Sequence, residues 1–354
     1  MIRFTYKKIG KKDILLLDKN YAKLSFNDIS YDIANLNEIN IFCITKILKN
    51  FFRYFLKYSL RDIYLKSLVE IHSPKMVISH NLEGYSYRIK YLCEKIFCVT
   101  YQHSFFYEVE KEFYKKNFGG KSCDLFITYH SDDTKFLSQL IKSRFISLGS
   151  VKNNEIVLKK NNEKNIPLLL ISEYRKNPSK LHLDKQIKLC QYIREFSKNR
   201  NIVPHVALSS NREDKNKYNF LEEELNFFKK YLKDFNWKKE NSFISASKSN
   251  LIICLSSNMG IEILSRGYKI VFFNLIGDED KLQVNPYLIK KRPNYFFSNL
   301  DDKETIKKLN YYFDLNLKQW EKESDFLNNS VLFDENNVLF KKEIKKIITS
   351  DEKN

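Results

Sequence analysis

The stretch from Asn250 to Leu275, NLIICLSSNMGIEILSRGYKIVFFNL, decides the fold. The apolar run Leu251–Leu255 is too short for a helix and ends on Ser256, Ser257, Asn258 and Gly260, which reads as a buried strand entering a turn. A short helix over 260–266 follows, Gly267 stops it, and Lys269–Asn274 forms the next apolar strand. This is a compact βαβ unit, which demands parallel strands. Backbone N–H groups at such a turn, with the positive end of the helix, suit an anion such as a nucleotide phosphate. The helix end alone contributes about 0.3–1 kcal/mol, so the serine hydroxyls and a cation have to supply the rest. Glu262, expected in the first helical turn, suits ribose hydroxyls or capping better than phosphate. An ordinary capped strand-to-helix turn is the alternative reading.

Working outward, the same alternation recurs. Downstream of residue 166 the pattern predicts strands at Pro167–Ser172 and Ile202–Ser209, with helices over 183–198 and 218–233. Leu183, Ile187, Cys190 and Ile193 fall on one face of the first helix. Upstream, strands are expected at Ile14–Asp18, Met76–His80, Ile96–Gln102, Asp124–Tyr129 and Phe145–Ser150, with helices within 44–70, 85–95 and 131–142. The polar segment Val151–Asn165, VKNNEIVLKKNNEKN, reads as a linker between two lobes. Beyond Tyr295 the chain turns helical near 301–313, 316–328 and 337–349. The expected organisation is a Rossmann-like lobe over 1–155, a second over 156–330 and a C-terminal helix over 331–354. A length of 354 residues suits two such cores.

Composition narrows the function classes. Sixty-one Lys and Arg against 43 Asp and Glu give +18, which favours acidic partners, although the lysines are spread through an Asn- and Ile-rich chain as nucleotide bias alone would spread them. The six cysteines, Cys43, Cys93, Cys98, Cys123, Cys190 and Cys254, form no C-x-x-C pair and mostly sit in apolar runs, as buried thiols do. The N-terminus lacks a signal-peptide core, and no run reaches the ~18 apolar residues of a membrane span. Ile41–Leu60, IFCITKILKNFFRYFLKYSL, is amphipathic, with Lys46, Lys49, Arg53 and Lys57 at helical intervals. It suits either an anionic membrane surface or packing on its own domain.

Ser256 to Gly267, SSNMGIEILSRG, resembles the Ser-Ser/Thr-x-x-Gly-x-Glu-x-Leu-x-x-Gly segment of bacterial surface-carbohydrate-biosynthesis proteins. It is also similar to that of GT-B transferases using CMP-linked donors, such as Kdo and polysialic-acid transferases. It departs from them at Asn258-Met259, where Thr-Leu is commoner. LLLISEYR, Leu168 to Arg175, resembles the strand and polar loop that border the donor in these proteins. Ser73 to Glu108 resembles their first-lobe strand, loop, helix and strand end, with Gln102-His103-Ser104 where a glycine is usual. The resemblance implies an α/β, GT-B-like fold of two facing Rossmann-like lobes with mostly parallel sheets. It assigns donor-nucleotide binding to Ser256, Ser257, Asn258, Gly260, Glu262, Ser172 and Arg175. Arg175 also reads as a solvated loop residue.

Three of the six histidines, His80, His103 and His130, fall at expected carboxyl ends of strands, where open α/β sheets bind ligands. Each also reads as a structural hydrogen-bonder. Glu83, beside His80, is a candidate base or a helix N-terminal acid; the catalytic candidates are therefore Glu83, His103 and His80. Asp278-Glu279-Asp280 reads as a solvated loop rather than a metal site, so no metal or cofactor is expected beyond the nucleotide sugar as substrate. The expected function is transfer of a sugar, Kdo-like and CMP-activated, to a surface polysaccharide or lipid-linked acceptor. The setting is the cytoplasm, with peripheral contact to the inner face of the membrane. Rivals are a CDP-glycerol or CDP-ribitol phosphotransferase, a nucleotide-sugar epimerase, an inactive scaffold of the same fold, and a basic nucleic-acid-binding protein. No helix-turn-helix, RNA-recognition or zinc signature supports the last, so nucleic acid is not an expected partner.

Overall fold

The computed structural model describes residues 3–5, 11–17, 24, 26, 28–34, 38–40, 44–81, 84–104, 111–156, 158, 164–209, 220–275, 288, 292–298, 300–328 and 333–350. The described residues fall into two compact units. One is drawn from Met1–Phe105, Glu112–Ile156 and Leu332–Asn354, the other from Phe106–Lys111 and Val157–Val331.

The first unit carries strands β1 (Arg3–Thr5), β2 (Ile14–Leu16), β3 (Tyr31–Ile33), β4 (Glu38–Asn40), β5 (Met76–His80), β6 (Phe97–Tyr101), β7 (Lys121–Thr128) and β8 (Ile141–Ser147). Six form one parallel sheet in the order β3-β2-β5-β6-β7-β8, while β1 and β4 pair separately. Leu15 sits opposite Val77, and Ile78 opposite Val99. Every residue of β2 and β5 is buried, as strands covered on both faces require.

Within 44–70, where helix was expected, the chain forms two helices, Ile44–Tyr54 and Leu60–His72. Ser59 starts the second with a reciprocal capping box: its hydroxyl accepts from the amide of Asp62, whose carboxylate accepts from Ser59. The helix expected to reach 142 ends at Leu137, and β8 begins at Ile141, earlier than the sequence pattern indicates. Val151–Asn154, read as linker, is a buried helical turn capped by Ser150. The C-terminal helix Val338–Ser350 belongs to this unit. Phe340, Ile344 and Ile348 pack in one cluster with Ile14, Leu16, Ile78 and Val99. Buried Asn337 fixes its start, donating to the carbonyl of Val151 and accepting from Asn154.

The second unit holds β9 (Ile166–Ile171), β10 (His205–Ala207), β11 (Ser249–Cys254), β12 (Ile270–Asn274) and β13 (Phe296–Ser298), parallel and in the order β10-β9-β11-β12-β13. β13 lies in a region read as purely helical; three residues are too few to give a pattern. Both main sheets thus place their first strand between the second and third, the same doubly wound order.

The helix Asn258–Ser265 lies so close to this sheet that a Cβ on Gly260 would stand 2.5 Å from Cys254 Sγ and 2.8 Å from Phe272. Glycine is required there for close approach, since φ is not in the left-handed region. Gly260→Ala is expected to cost about 1–3 kcal/mol in chemical denaturation, the range for overpacking a filled core. An unchanged unfolding midpoint would contradict this packing.

Candidate functional site at the sheet switch points

In the second unit, the chain passes from β9 to β10 on one side of the sheet and from β11 to β12 on the other. The carboxyl ends of β9 and β11 therefore border a topological switch point, the place where open α/β sheets bind ligands. Ser172–Arg175 follows β9, and Leu255–Asn258 follows β11.

Glu173 joins them. One carboxylate oxygen accepts the amides of Leu255, Ser256 and Ser257 at 3.0, 2.7 and 2.9 Å, and the other accepts the Ser256 hydroxyl at 2.8 Å. The turn expected to hold a phosphate with these amides already holds an anion, supplied by the protein. The main-chain oxygen of Glu173 is fixed in turn, accepting Gln186 Nε2 at 2.6 Å and lying 2.9 Å from His182 Nε2. The Ser172 hydroxyl is engaged by the protein as well. It donates to Glu224 Oε1 at 2.5 Å, and the amide of Ser209 reaches the same oxygen at 2.8 Å. Glu224 is fully buried, so these bonds are what makes its burial tolerable.

Three cationic or titratable groups surround this arrangement. Arg175 is exposed and lowers the proton affinity of both His182 and Lys185. Lys185 is only 5% exposed, and burial pulls its ammonium down to about 8 against an opposing effect of Glu173. Burial likewise lowers His182. None of His182, Lys185, Gln186, Glu173 or Glu224 was expected from the sequence. A signal existed: the helix Lys180–Arg200 buries His182, Lys185, Gln186, Leu189, Cys190 and Ile193, a helical stripe whose first two turns are polar. Leu183 and Ile187, assigned to the covered face, are only half-buried.

Of the remaining expected donor residues, Ser257 is the N-cap of the helix Asn258–Ser265 and makes no capping bond with its side chain. Asn258 opens the helix, half-buried, and Gly260 is buried against the sheet. Glu262 lies in the second turn rather than the first and is buried, because the helix begins two residues earlier than the pattern suggests.

In the first unit, His80 ends β5 and His103 follows β6, with ring centroids 5.1 Å apart. The amide of His103 donates to Asn81 Oδ1, and its carbonyl accepts the Tyr129 hydroxyl at 2.8 Å. Gln102 braces the same strand ends by accepting from the Tyr129 amide and donating to Asp133. His130, in contrast, caps the helix Ser131–Leu137 by accepting the Asp132 amide at Nδ1, a structural role. Glu83 and the Asp278–Asp280 triplet lie outside the described residues.

Removing the Glu173 carboxylate would leave three amide donors without their acceptor. Glu173→Ala is expected to destabilise by about 1–3 kcal/mol, whereas Glu173→Gln, which keeps one acceptor oxygen, is expected to lose less. Equal unfolding midpoints for wild type and Glu173→Ala would show that the carboxylate does not hold this turn.

A protein-family profile described as "putative O-antigen biosynthesis protein" matches residues 102–348. No curated protein matches the chain. Among solved structures, the chain is similar to a "putative UDP-N-acetylglucosamine 2-epimerase" from Listeria monocytogenes, at 10% identity and TM-score 0.59, over 98% of this chain and 97% of that one. It is similar to UDP-GlcNAc 2-epimerase from Neisseria meningitidis bound to UDP-GlcNAc, at 11% identity and TM-score 0.53, over 95% and 100%. MurG of Acinetobacter baumannii aligns at 10% identity and TM-score 0.46, over 90% and 85%. The two epimerase likenesses agree with the two parallel α/β units in assigning a GT-B-like fold. Because the family match spans more than half of the sequence, the chain belongs to the O-antigen biosynthesis protein family.

Proposed function

We propose that this protein is a glycosyltransferase of surface-polysaccharide assembly that binds a nucleotide sugar at the β9–β11 switch point and transfers the sugar to a polysaccharide or lipid-linked acceptor. The observation that carries this reading is the switch-point turn itself: Glu173 binds the amides of 255–257 where the helix Asn258–Ser265 begins, and buried Lys185 is electrostatically coupled to both Glu173 and Arg175. Glu173 occupies the amides of 255–257, so the donor phosphate is assigned to the next positions: Ser257 Oγ, Asn258 and the helix end, with Arg175 able to pair bidentately. Charge grows on the departing phosphate during transfer, and fixed donors aimed at it act more strongly in the transition state than in the ground state. Lys185 and Arg175 make a metal dispensable in this proposal.

His80 and His103 are the proposed acceptor-side groups, with Glu83 the candidate base in the same loop. A CMP-activated, Kdo-like sugar is the proposed donor; it rests on the sequence resemblance. Work at the inner face of a membrane is also proposed. It is supported by the exposure of Phe52, Leu56 and Leu60 beside Arg53, Lys57 and Arg61. Among the described residues no helix is long and apolar enough to cross a membrane.

A thermal-shift panel of CMP, CDP, UMP, UDP and GDP tests the reading. The preferred nucleotide, at a hundred times its dissociation constant, should stabilise by about 2.7 kcal/mol. Arg175→Ala should abolish that shift without lowering the unliganded Tm, and Ser257→Ala should lower kcat/KM by ~10²-fold. Silence with every nucleotide would refute the assignment. Turnover of a nucleotide sugar without any acceptor would favour epimerisation or hydrolysis over transfer.

Lys185 adds a pH signature. Its folded-state value of about 8 lies below the ordinary 10.5, so it is an ammonium below pH 8 and loses its charge as pH rises through that value. Nucleotide affinity should therefore weaken between pH 7 and 9, and this dependence should vanish in Lys185→Met. A wild-type affinity that is flat over that range would separate Lys185 from the phosphate.

A further inference from the structure

At the carboxyl end of the second unit's sheet, neighbouring strands finish in polar residues that stand level with one another. Asn274 is paired with Ser298. Carried two residues past Cys254 and Phe272, the β11–β12 register sets Ser256 opposite Asn274; carried three past Ile253 and Leu170, the β9–β11 register sets it opposite Glu173. Asn274 is therefore one strand, about 5 Å, from the turn that Glu173 holds. It also lies on the side of the sheet where that turn's helix packs. Side chains alternate along a strand, so Asn274 projects to the face of Ile270 and Phe272. A Cβ on Gly260 would meet both of these and Cys254, so this face carries the helix Asn258–Ser265. Gly260 is the third residue of that helix and stands over Cys254 and Phe272. The helix start accordingly reaches the level of Asn274.

Asn274 is only 7% exposed, yet half of its amide is unused. Nδ2 donates to the Ser298 hydroxyl at 3.2 Å, which fixes the amide and leaves Oδ1 on its other edge. Among the described residues nothing donates to that buried oxygen. A buried acceptor without a donor destabilises a fold, whereas an apolar side chain of the same branching would be close to neutral there. Such a cost is retained where function uses the group. The position selects the kind of donor. A phosphate at the start of the helix Asn258–Ser265 has no proton to give at neutral pH. In a sugar nucleotide that phosphate is flanked by hydroxyl groups on both sides, those of the pentose and those of the transferred sugar.

We infer that Asn274 is a donor-binding residue whose carbonyl oxygen accepts a hydrogen bond from a sugar hydroxyl of the bound nucleotide sugar, beside the phosphate at the helix start. The inference rests on the donor site proposed above and adds a selective contact to it. An acceptor held in this place favours a hydroxyl and disfavours a phosphate or carboxylate oxygen, neither of which carries a proton to share. The anion is thereby directed to Ser257 and the helix end, and the hydroxyl to β12. Pentose and transferred sugar offer the same chemistry, and ligands that lack one or the other tell them apart.

The test is calorimetric binding to the full chain of CMP, UDP and GDP, the 2′-deoxy and 3′-deoxy forms of each, and CMP-N-acetylneuraminate, UDP-N-acetylglucosamine and GDP-mannose. Asn274→Leu should bind about fivefold more weakly than the wild type, one hydrogen bond's worth, and its unliganded Tm should not fall. Asn274→Ala, which crowds nothing, should show the same weakening. A loss seen with a plain nucleotide and absent with one of its deoxy forms assigns the hydroxyl to the pentose. A loss confined to a sugar nucleotide assigns it to the transferred sugar. Equal affinities of the wild type and both variants for every ligand would overturn the inference and leave the donor site standing. A weakening that is the same with all ligands, deoxy forms included, together with a lower Tm in both variants, would make Asn274 a packing residue and overturn it too. Wild-type silence with every ligand would remove the donor site and this contact together.

Discussion

The carboxylate of Glu173 is the constraint on which the second unit's site depends. Three consecutive amides at the end of one strand converge on a single oxygen from the end of another, so the two loops cannot move apart without leaving three part-buried donors without this acceptor. Its own main chain is anchored by Gln186, and the preceding Ser172 is tied to fully buried Glu224. The consequence is a turn whose shape is set before any ligand arrives. In the proposed transfer reaction, such fixing would serve the neighbouring Ser257 hydroxyl and helix start, because donors already in place need no reorientation during the reaction.

A protein-supplied anion at the head of a helix also relocates the ligand. A second anion cannot share the amides of 255–257 without repulsion from Glu173, which is why the proposed donor phosphate is assigned to Ser257, Asn258 and the cations Arg175 and Lys185. Lys185 is tuned by the same geometry: burial depresses it, and Glu173 keeps it from falling further.

Much of the fold was legible because parallel sheets need apolar runs with no alternation. LIICL, LLLI and MVI stood out for that reason, and their strands appear within a residue or two of expectation. Three-residue strands such as Tyr31–Ile33 and Phe296–Ser298 were not legible, since so short a segment has no period. Val151 was misread because its polar neighbours hid one buried side chain. The site was legible as a place but not as a wiring diagram. Ser256 and Ser257 marked the turn, yet the partner of their amides lies more than eighty residues earlier, and only the pairing of β9 with β11 brings it near. The amphipathic reading of 41–60 left packing and membrane contact open. The structure places Asn50 and Lys46 on the packed side, half-buries Ile44, Ile47 and Phe51, and leaves Leu48, Phe52, Phe55 and Leu56 exposed.

Hydrogen exchange on the full chain, with and without a saturating concentration of the preferred nucleotide, tests the central claim most directly. Protection confined to 172–176 and 255–262, with slow exchange of the 255–257 amides already in the free protein, is the result expected from a Glu173-held turn beside the phosphate site. Fast exchange of those three amides in the free protein, or nucleotide protection that appears only in the first unit, would contradict it.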